Sequence, residues 1–305
     1  MPRTATKLSN CYVPLPLSSL AKVVVSKDKS KRKLPTERDS GDGSKTKRDE
    51  HSLRRLFLES GVIPSAAGSA LVELGHTKVI AQMIGPVTAS SDQVPSFIEL
   101  SMEEGTLHCE VKYSPNTGFP TSTLLAASVS TMDHHSTNQL SSGKINSWTI
   151  ARETDLSSRL SSALAAAVPL KQYPKCALIL KITVLQDDGN VLAACITAAS
   201  LALANAAVEM YDLVTCGSVA VRQGTGELAL LADPDLAETQ DADAVVTLAV
   251  LPNWKEVTLW EQSGSLSPDK VNQAMELCRD GCRTMHRFMR EHLLQQAQSE
   301  SMDVE

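Results

Sequence analysis

With 305 residues, 42% of them hydrophobic but only 4% aromatic, the chain has room for one large or two modest cores built from Ala, Val, Leu and Ile. Its formal net charge of −6 excludes a surface that wraps nucleic acid indiscriminately, while leaving local basic patches open. The seven cysteines lie mostly in apolar runs and never as Cys-x-x-Cys, so a disulfide framework or zinc ribbon is excluded in favour of reduced thiols in an intracellular protein, with no membrane span and no secretory signal expected.

Residues 1–47 read as a disordered basic tail. Charge is dense over 26–50, with too little apolar surface to offset the entropy of ordering. Its clusters at Lys31 to Lys33 and Lys45 to Arg48 resemble a nuclear import signal, and a solubilising tail fits them equally. A folded domain is expected over 48–298, with an acidic tail at 299–305.

The run RRLFLESG reads as a strand, and GSALVEL, GHT and KVIAQMIGP as two strands and their turn. Another strand is expected over 107–113. The Ser-, Thr- and Asn-rich stretch 114–149 reads as a long excursion. Over 152–168, apolar residues recur every fourth position at Leu156, Leu160, Leu164 and Val168, which predicts an amphipathic helix with Glu153 and Asp155 in its first turn. A buried strand over 177–185 then runs through an acidic turn into a helix of small residues around 195–210. Two further hairpins follow, VTCGSVAV with ELALLADP and AVVTLAVLP with KEVTLWEQSG. A long final helix has Ser267 as N-cap, Pro268 at its first position, and a stripe of Val271, Met275, Cys278, Cys282, Met285 and Met289 toward a core. Helices laid on largely antiparallel sheet define an α+β class.

A helix start presents unpaired N–H groups and a partial positive charge, a place suited to phosphate. Here it carries Asp187 and Asp188 with no Lys or Arg. Elsewhere, the adjacent His134 and His135 diverge and read as surface residues. The Gly224 to Gly226 turn has no following helix to hold a phosphate. No metal and no cofactor are expected.

Gly68, Ser69, Glu73, Gly75, Thr77, Lys78 and Val79 reproduce the pattern Gly-Ser-x-x-x-Glu-x-Gly-x-Thr-Lys-Val, which resembles the opening hairpin of the RNase PH family. The strand, acidic turn and small-residue helix from Ile179 to Ala206 are similar to a second family segment. The run NAAVEMYDLVTCGSVAV looks most like eukaryotic exosome ring subunits of the mRNA transport regulator type (exosome component six). The resemblance implies an RNase PH-like (ribosomal protein S5 domain 2-like) two-lobed fold. It also implies assembly in a six-membered ring with other RNase PH-like exosome subunits, cap proteins carrying OB-type and KH domains, and single-stranded RNA. Its compartments would be the nucleus, including the nucleolus, and the cytoplasm.

Active relatives carry Gly-Gly-Thr-Arg at the helix start, whose Thr and Arg hold the attacking phosphate. Aligned on Asp188 and Gly189, this chain has Asn190, Val191 and Leu192. Neither Val nor Leu can replace a bidentate Arg. The family's pair of metal-linked acids aligns with Leu231 and Ala237. Asp235 and Asp241 keep the six-residue spacing under a shifted alignment, and a solvated acidic loop is the competing reading. Arg152 matches the arginine that relatives use at the RNA 3′ end, or forms a surface ion pair with its flanking acids. Lys112 is a second RNA-binding candidate. The expected function is a non-catalytic ring subunit that guides RNA. A phosphate- or metal-dependent 3′–5′ exoribonuclease is the alternative, and a small-molecule kinase a third that lacks a Gly-rich loop.

Overall fold

Period-two burial organises the first half of the chain into a sheet. The structure, a computed structural model, describes residues 52–88, 101–115, 117, 142–223 and 228–302. Strands β1 (Leu56–Ser60), β2 (Gly68–Leu74), β3 (Thr77–Thr88), β4 (Thr106–Tyr113) and β5 (Cys176–Gln186) lie in the order β1-β2-β3-β5-β4. In β3, buried Thr77, Val79, Ala81 and Met83 alternate with half-exposed neighbours. The largely antiparallel expectation holds with one exception, since β4 and β5 pair parallel. Parallel neighbours require a crossover. Helix α1 (Ser142–Ala165) supplies it and closes the outer edge of β4: Ser157 Oγ accepts from Val111 N at 2.9 Å and Glu153 Oε1 from Tyr113 N at 2.8 Å.

Helix α1 corrects two boundaries. It begins at Ser142, inside the stretch expected to be loop, and ends at Ala165, so that Val168 is buried beyond it. Polar Ser and Asn residues lower helix propensity over 142–149. Extending a helix already anchored through Leu156, Leu160 and Leu164 costs much less than nucleating one. The remainder of that stretch, 118–141 with His134 and His135, lies outside the described residues, as do the N-terminal tail and the Gly224 to Gly226 turn.

Helix α2 (Val191–Asn205) is hydrophobic all round because it is buried all round, from Val191 through Leu203. It packs against β2 and β3 of the first sheet and β6 of the second. Its Ala, Cys, Ser and Thr side chains allow both sheets close approach. It stops at Asn205, so Glu209 and Met210, expected within it, lie in the following loop.

The second sheet runs β7-β6-β8-β9, all antiparallel, from β6 (Thr215–Gln223), β7 (Leu228–Ala232), β8 (Ala244–Leu251) and β9 (Glu256–Gly264). A short helix α3 (Leu236–Gln240), unexpected from sequence, follows β7. Helix α4 (Pro268–Met302) lies on this sheet through Ala274, Cys278 and Cys282, and reaches the first core through Met285 and Met289. It continues into the stretch read as an acidic tail. All six described cysteines are free thiols.

Candidate functional site

The family-like hairpin and the acidic turn, distant in sequence, meet at Thr77. Its Oγ1 donates to the Gly189 carbonyl at 2.8 Å and accepts from Asp188 N at 3.1 Å, fully buried. The other motif positions are structural too. Ser69 N donates to Asn205 Oδ1 at the end of α2, Gly75 takes the positive φ of the turn, and Lys78 pairs with Glu73 across it. Thr77→Val keeps the shape but strands the Asp188 N–H and leaves the Gly189 carbonyl only its long bond from Arg54, so thermal or urea unfolding is expected to show a loss of about 2 kcal/mol.

The turn itself is closed by the protein's own groups. Asp187, buried at the end of β5, accepts from Gly189 N at 3.1 Å, from Arg152 Nη2 at 3.0 Å and from Tyr113 Oη at 3.2 Å. On the other side, Asp233 receives Arg54 through two parallel bonds, Nε at 3.0 Å and Nη2 at 2.9 Å. Arg54 also donates Nη1 to the Asp188 carbonyl at 3.0 Å. Asn190, the residue preceding α2, adopts φ 54 and donates Nδ2 to Asp233 at 2.6 Å instead of capping the helix. Asn tolerates the left-handed region better than most residues. The anions expected at a helix N-terminus are therefore Asp187 and Asp233, supplied internally. Burial raises the Asp188 carboxyl above its ordinary value; Asp235 and Asp187 add to this while Arg54 and His76 oppose it.

These contacts place every residue of the turn that the resemblance reads as a degenerate phosphate site. Gly189 at φ 85 abuts α3 so closely that a Cβ would lie 2.7 Å from the backbone of Asp235 and Leu236. Val191 and Leu192 are buried in the core. The amide hydrogens of Asp188 and Gly189 are already engaged, and two carboxylates flank the turn. An incoming phosphate would meet apolar side chains and a turn whose cations, Arg54 and Arg152, are already held by Asp233 and Asp187.

Leu231 sits in β7 opposite Ala220, and Ala237 in α3. Asp235 and Asp241 stand at opposite ends of α3. Asp235 caps it, accepting from Glu238 N at 2.7 Å in a reciprocal capping box, and Asp241 ends it beside Arg222 at 3.4 Å. Among the described residues no cluster of His, Cys, Asp or Glu could hold a metal ion.

Arg152 is an ion-pair residue, but its partner is Asp187 and not the flanking acids. Glu153 holds the β4 edge and Asp155 bonds Arg159. Its guanidinium lies 5.6 Å above the Tyr113 ring, and its side chain is 40% exposed, so it remains within reach of solvent. Lys112 is exposed on β4 and pairs with Glu110 at 2.5 Å, a contact that raises its pKa. Sequence inspection missed Arg54, Thr77, Tyr113 and Asp233 as site residues. Arg54 and Asp233 are 179 positions apart, and no spacing rule connects them.

Two lobes of sheet and helix, sharing the buried helix α2, define the class: a two-lobed α+β scaffold. Residues 52–209 match the model of the 3′ exoribonuclease family, domain 1, and residues 212–281 that of its domain 2. The chain belongs to this family, also called RNase PH, and has its two-domain fold. It is 31% identical to the exosome complex component RRP41-like of Arabidopsis thaliana over 81% of this chain and 82% of that one. It is 29% identical to the exosome complex component MTR3 of Homo sapiens, over 82% of this chain and 86% of that one. Crystallised rice (Oryza sativa) Rrp46 has a similar fold, with a TM-score of 0.60 at 19% identity, covering 81% of this chain and 98% of that one. The Archaeoglobus fulgidus exosome with RNA bound to the active site gives 0.57 at 19% identity, covering 79% and 90%.

Proposed function

We propose that this chain is a non-catalytic subunit of an exosome-type ring, which completes the ring and guides single-stranded RNA toward 3′–5′ processing or degradation elsewhere. The observation that carries this reading is the turn closed by Asp187, Asp233 and Arg54, where phosphorolysis would need an open, cationic phosphate site. The similarity to relatives named as exosome components supports the ring role. We extend it to the mRNA transport regulator type, on the NAAVEMYDLVTCGSVAV stretch and the likeness to human MTR3. Partners are then other RNase PH-like subunits, caps with OB-type and KH domains, and RNA. The basic N-terminal clusters support a nuclear and nucleolar location besides the cytoplasm. Arg152, exposed beside Tyr113, is the residue proposed to touch the RNA backbone at this end of the molecule, with Lys112 as a weaker second.

The native mass and subunit composition of the complex that co-purifies with the chain test the ring role. A hetero-oligomer with RNase PH-like chains is expected, and a homo-hexamer or free monomer overturns it. Phosphate-dependent release of nucleoside diphosphates from RNA tests inactivity. Neither the wild type nor the Val191→Thr, Leu192→Arg double variant is expected to release product, because the acids are still missing at Leu231 and Ala237. Product from either would overturn the closed-turn reading.

A further inference from the structure

Away from the turn, the β8–β9 connection at 252–255 and helix α4 enclose two adjacent clefts. Lys255, Arg279 and Arg283 line the first, together with Val250, Pro252 and Val257. His286 and Arg290 line the second, of about 420 Å³, with Asn253 and Asp212 at its floor. Residues 279, 283, 286 and 290 are three or four apart, so they form one stripe along a helix, rising roughly 16 Å over eleven residues. The three arginines and Lys255 are exposed. A cationic row of this density stands out on a chain of net charge −6.

An aromatic pair lies at the same place. Trp254, at the tip of the connection, is 56% exposed and Tyr211 beside it 57%. Their rings meet edge to face at 6.2 Å, and Trp254 Nε1 donates to the Tyr211 carbonyl at 3.2 Å, which fixes the indole. The support beneath is rigid. Asp212 accepts from Asn253 N at 2.8 Å and Asn253 Nδ2 at 2.9 Å and pairs with His286 at 3.4 Å, tying the connection to α4. Asp280 holds Arg283 at 2.8 Å in an exposed pair, a contact worth little in water.

A row of cations that can follow a phosphodiester backbone, beside rigid exposed aromatic faces on which bases can stack, is the chemistry of a sequence-tolerant single-stranded nucleic-acid site. We infer that the surface formed by Lys255, Arg279, Arg283, Arg290 and Trp254 binds single-stranded RNA, separately from the Arg152 region. This inference rests on the RNA-guiding reading for its ligand and adds a second contact surface to it. The exposed indole, fixed against Tyr211 beside the cationic row, offers a face on which bases stack and so favours RNA over an acidic face of a neighbouring protein.

The test is binding of a fluorescent single-stranded RNA by the full chain and by the complex that it purifies with, across a salt series. Arg279→Ala/Arg283→Ala/Arg290→Ala is expected to reduce the slope of log affinity against log salt by about 2, since each lost phosphate contact on a single strand removes about 0.7. Trp254→Ala is expected to weaken binding about tenfold with the slope kept. A 4-thiouridine RNA should crosslink to the 252–255 connection. Unchanged slope and affinity in both variants, with no crosslink there, overturn the inference. Loss of the triple variant from the complex with RNA binding intact would assign the surface to a protein neighbour and also overturn it. Loss of RNA binding in Arg152→Ala alone, with these variants silent, would overturn this surface but leave the RNA-guiding function standing.

Discussion

Replacing Asp233 with alanine is expected to lower the unfolding free energy by about 3–5 kcal/mol, the range for removing one partner of a buried ion pair. The side chains of Arg54 and Asp233 are only 7% and 4% exposed. Without the carboxylate, the guanidinium keeps the Asp188 and Gly189 carbonyls of the turn but loses its paired countercharge. The amide hydrogens of Asn190 Nδ2 and the backbone N of Arg54, which donates to Asp233 Oδ2 at 3.2 Å, lose their acceptor as well. Asp233 also sits at φ 50, where alanine is less at ease than aspartate. Urea unfolding at neutral pH reads the effect as a shift in midpoint at constant slope. The double variant Arg54→Met/Asp233→Leu removes both charges and is expected to regain much of the loss. A loss below about 1 kcal/mol in Asp233→Ala would mean that the pair behaves like an exposed one.

Gly68→Ala is expected to cost about 3 kcal/mol, at the upper end of the range for overpacking a core. A Cβ there would lie 2.4 Å from both the Ala202 carbonyl oxygen and the Ala206 nitrogen, and 2.7 Å from Ala206 Cβ. Two of these three atoms are backbone and cannot swing aside, so β2 and the C-terminal end of α2 must separate. Ala206→Gly in the same chain removes only the side-chain contact and is expected to restore little. Full rescue by Ala206→Gly would show that the clash is with the methyl group and not the helix backbone.

The strands and long helices were legible in the sequence because their signals are local: period-two burial in β3, a four-residue repeat in α1, Pro268 at the start of α4. Their limits were less so. Ser142 to Thr149 look like loop because their residues favour turns, and only attachment to the anchored part of α1 makes them helical. Helix α3 is too short for any periodicity to show. The absence of Thr and Arg from the turn was visible as missing chemistry at Val191 and Leu192. What replaced it was not visible, because the Arg54–Asp233 pair and the Thr77 latch are made by tertiary packing. Spacing in sequence left Asp235 and Asp241 open between a shifted acid pair and a solvated loop, and could not reveal that they stand at opposite ends of one short helix. An aromatic content of only 4% gave no sign that two of these few rings are placed together on the surface.

The helix shared by both sheets bears on how the chain matures during synthesis. One continuous core contains Ala70 and Leu180 of the first sheet, the whole apolar surface of α2, Cys216 and Leu251 of the second sheet, and Met285 and Met289 near the C-terminus. The two halves matched by separate family domains are therefore not separate folding units. Until α4 docks, the amino-terminal half keeps an apolar wall with nothing against it, a state prone to capture by chaperones or by other nascent chains. The first lobe is thus completed only when Met285 and Met289 of α4 come into place.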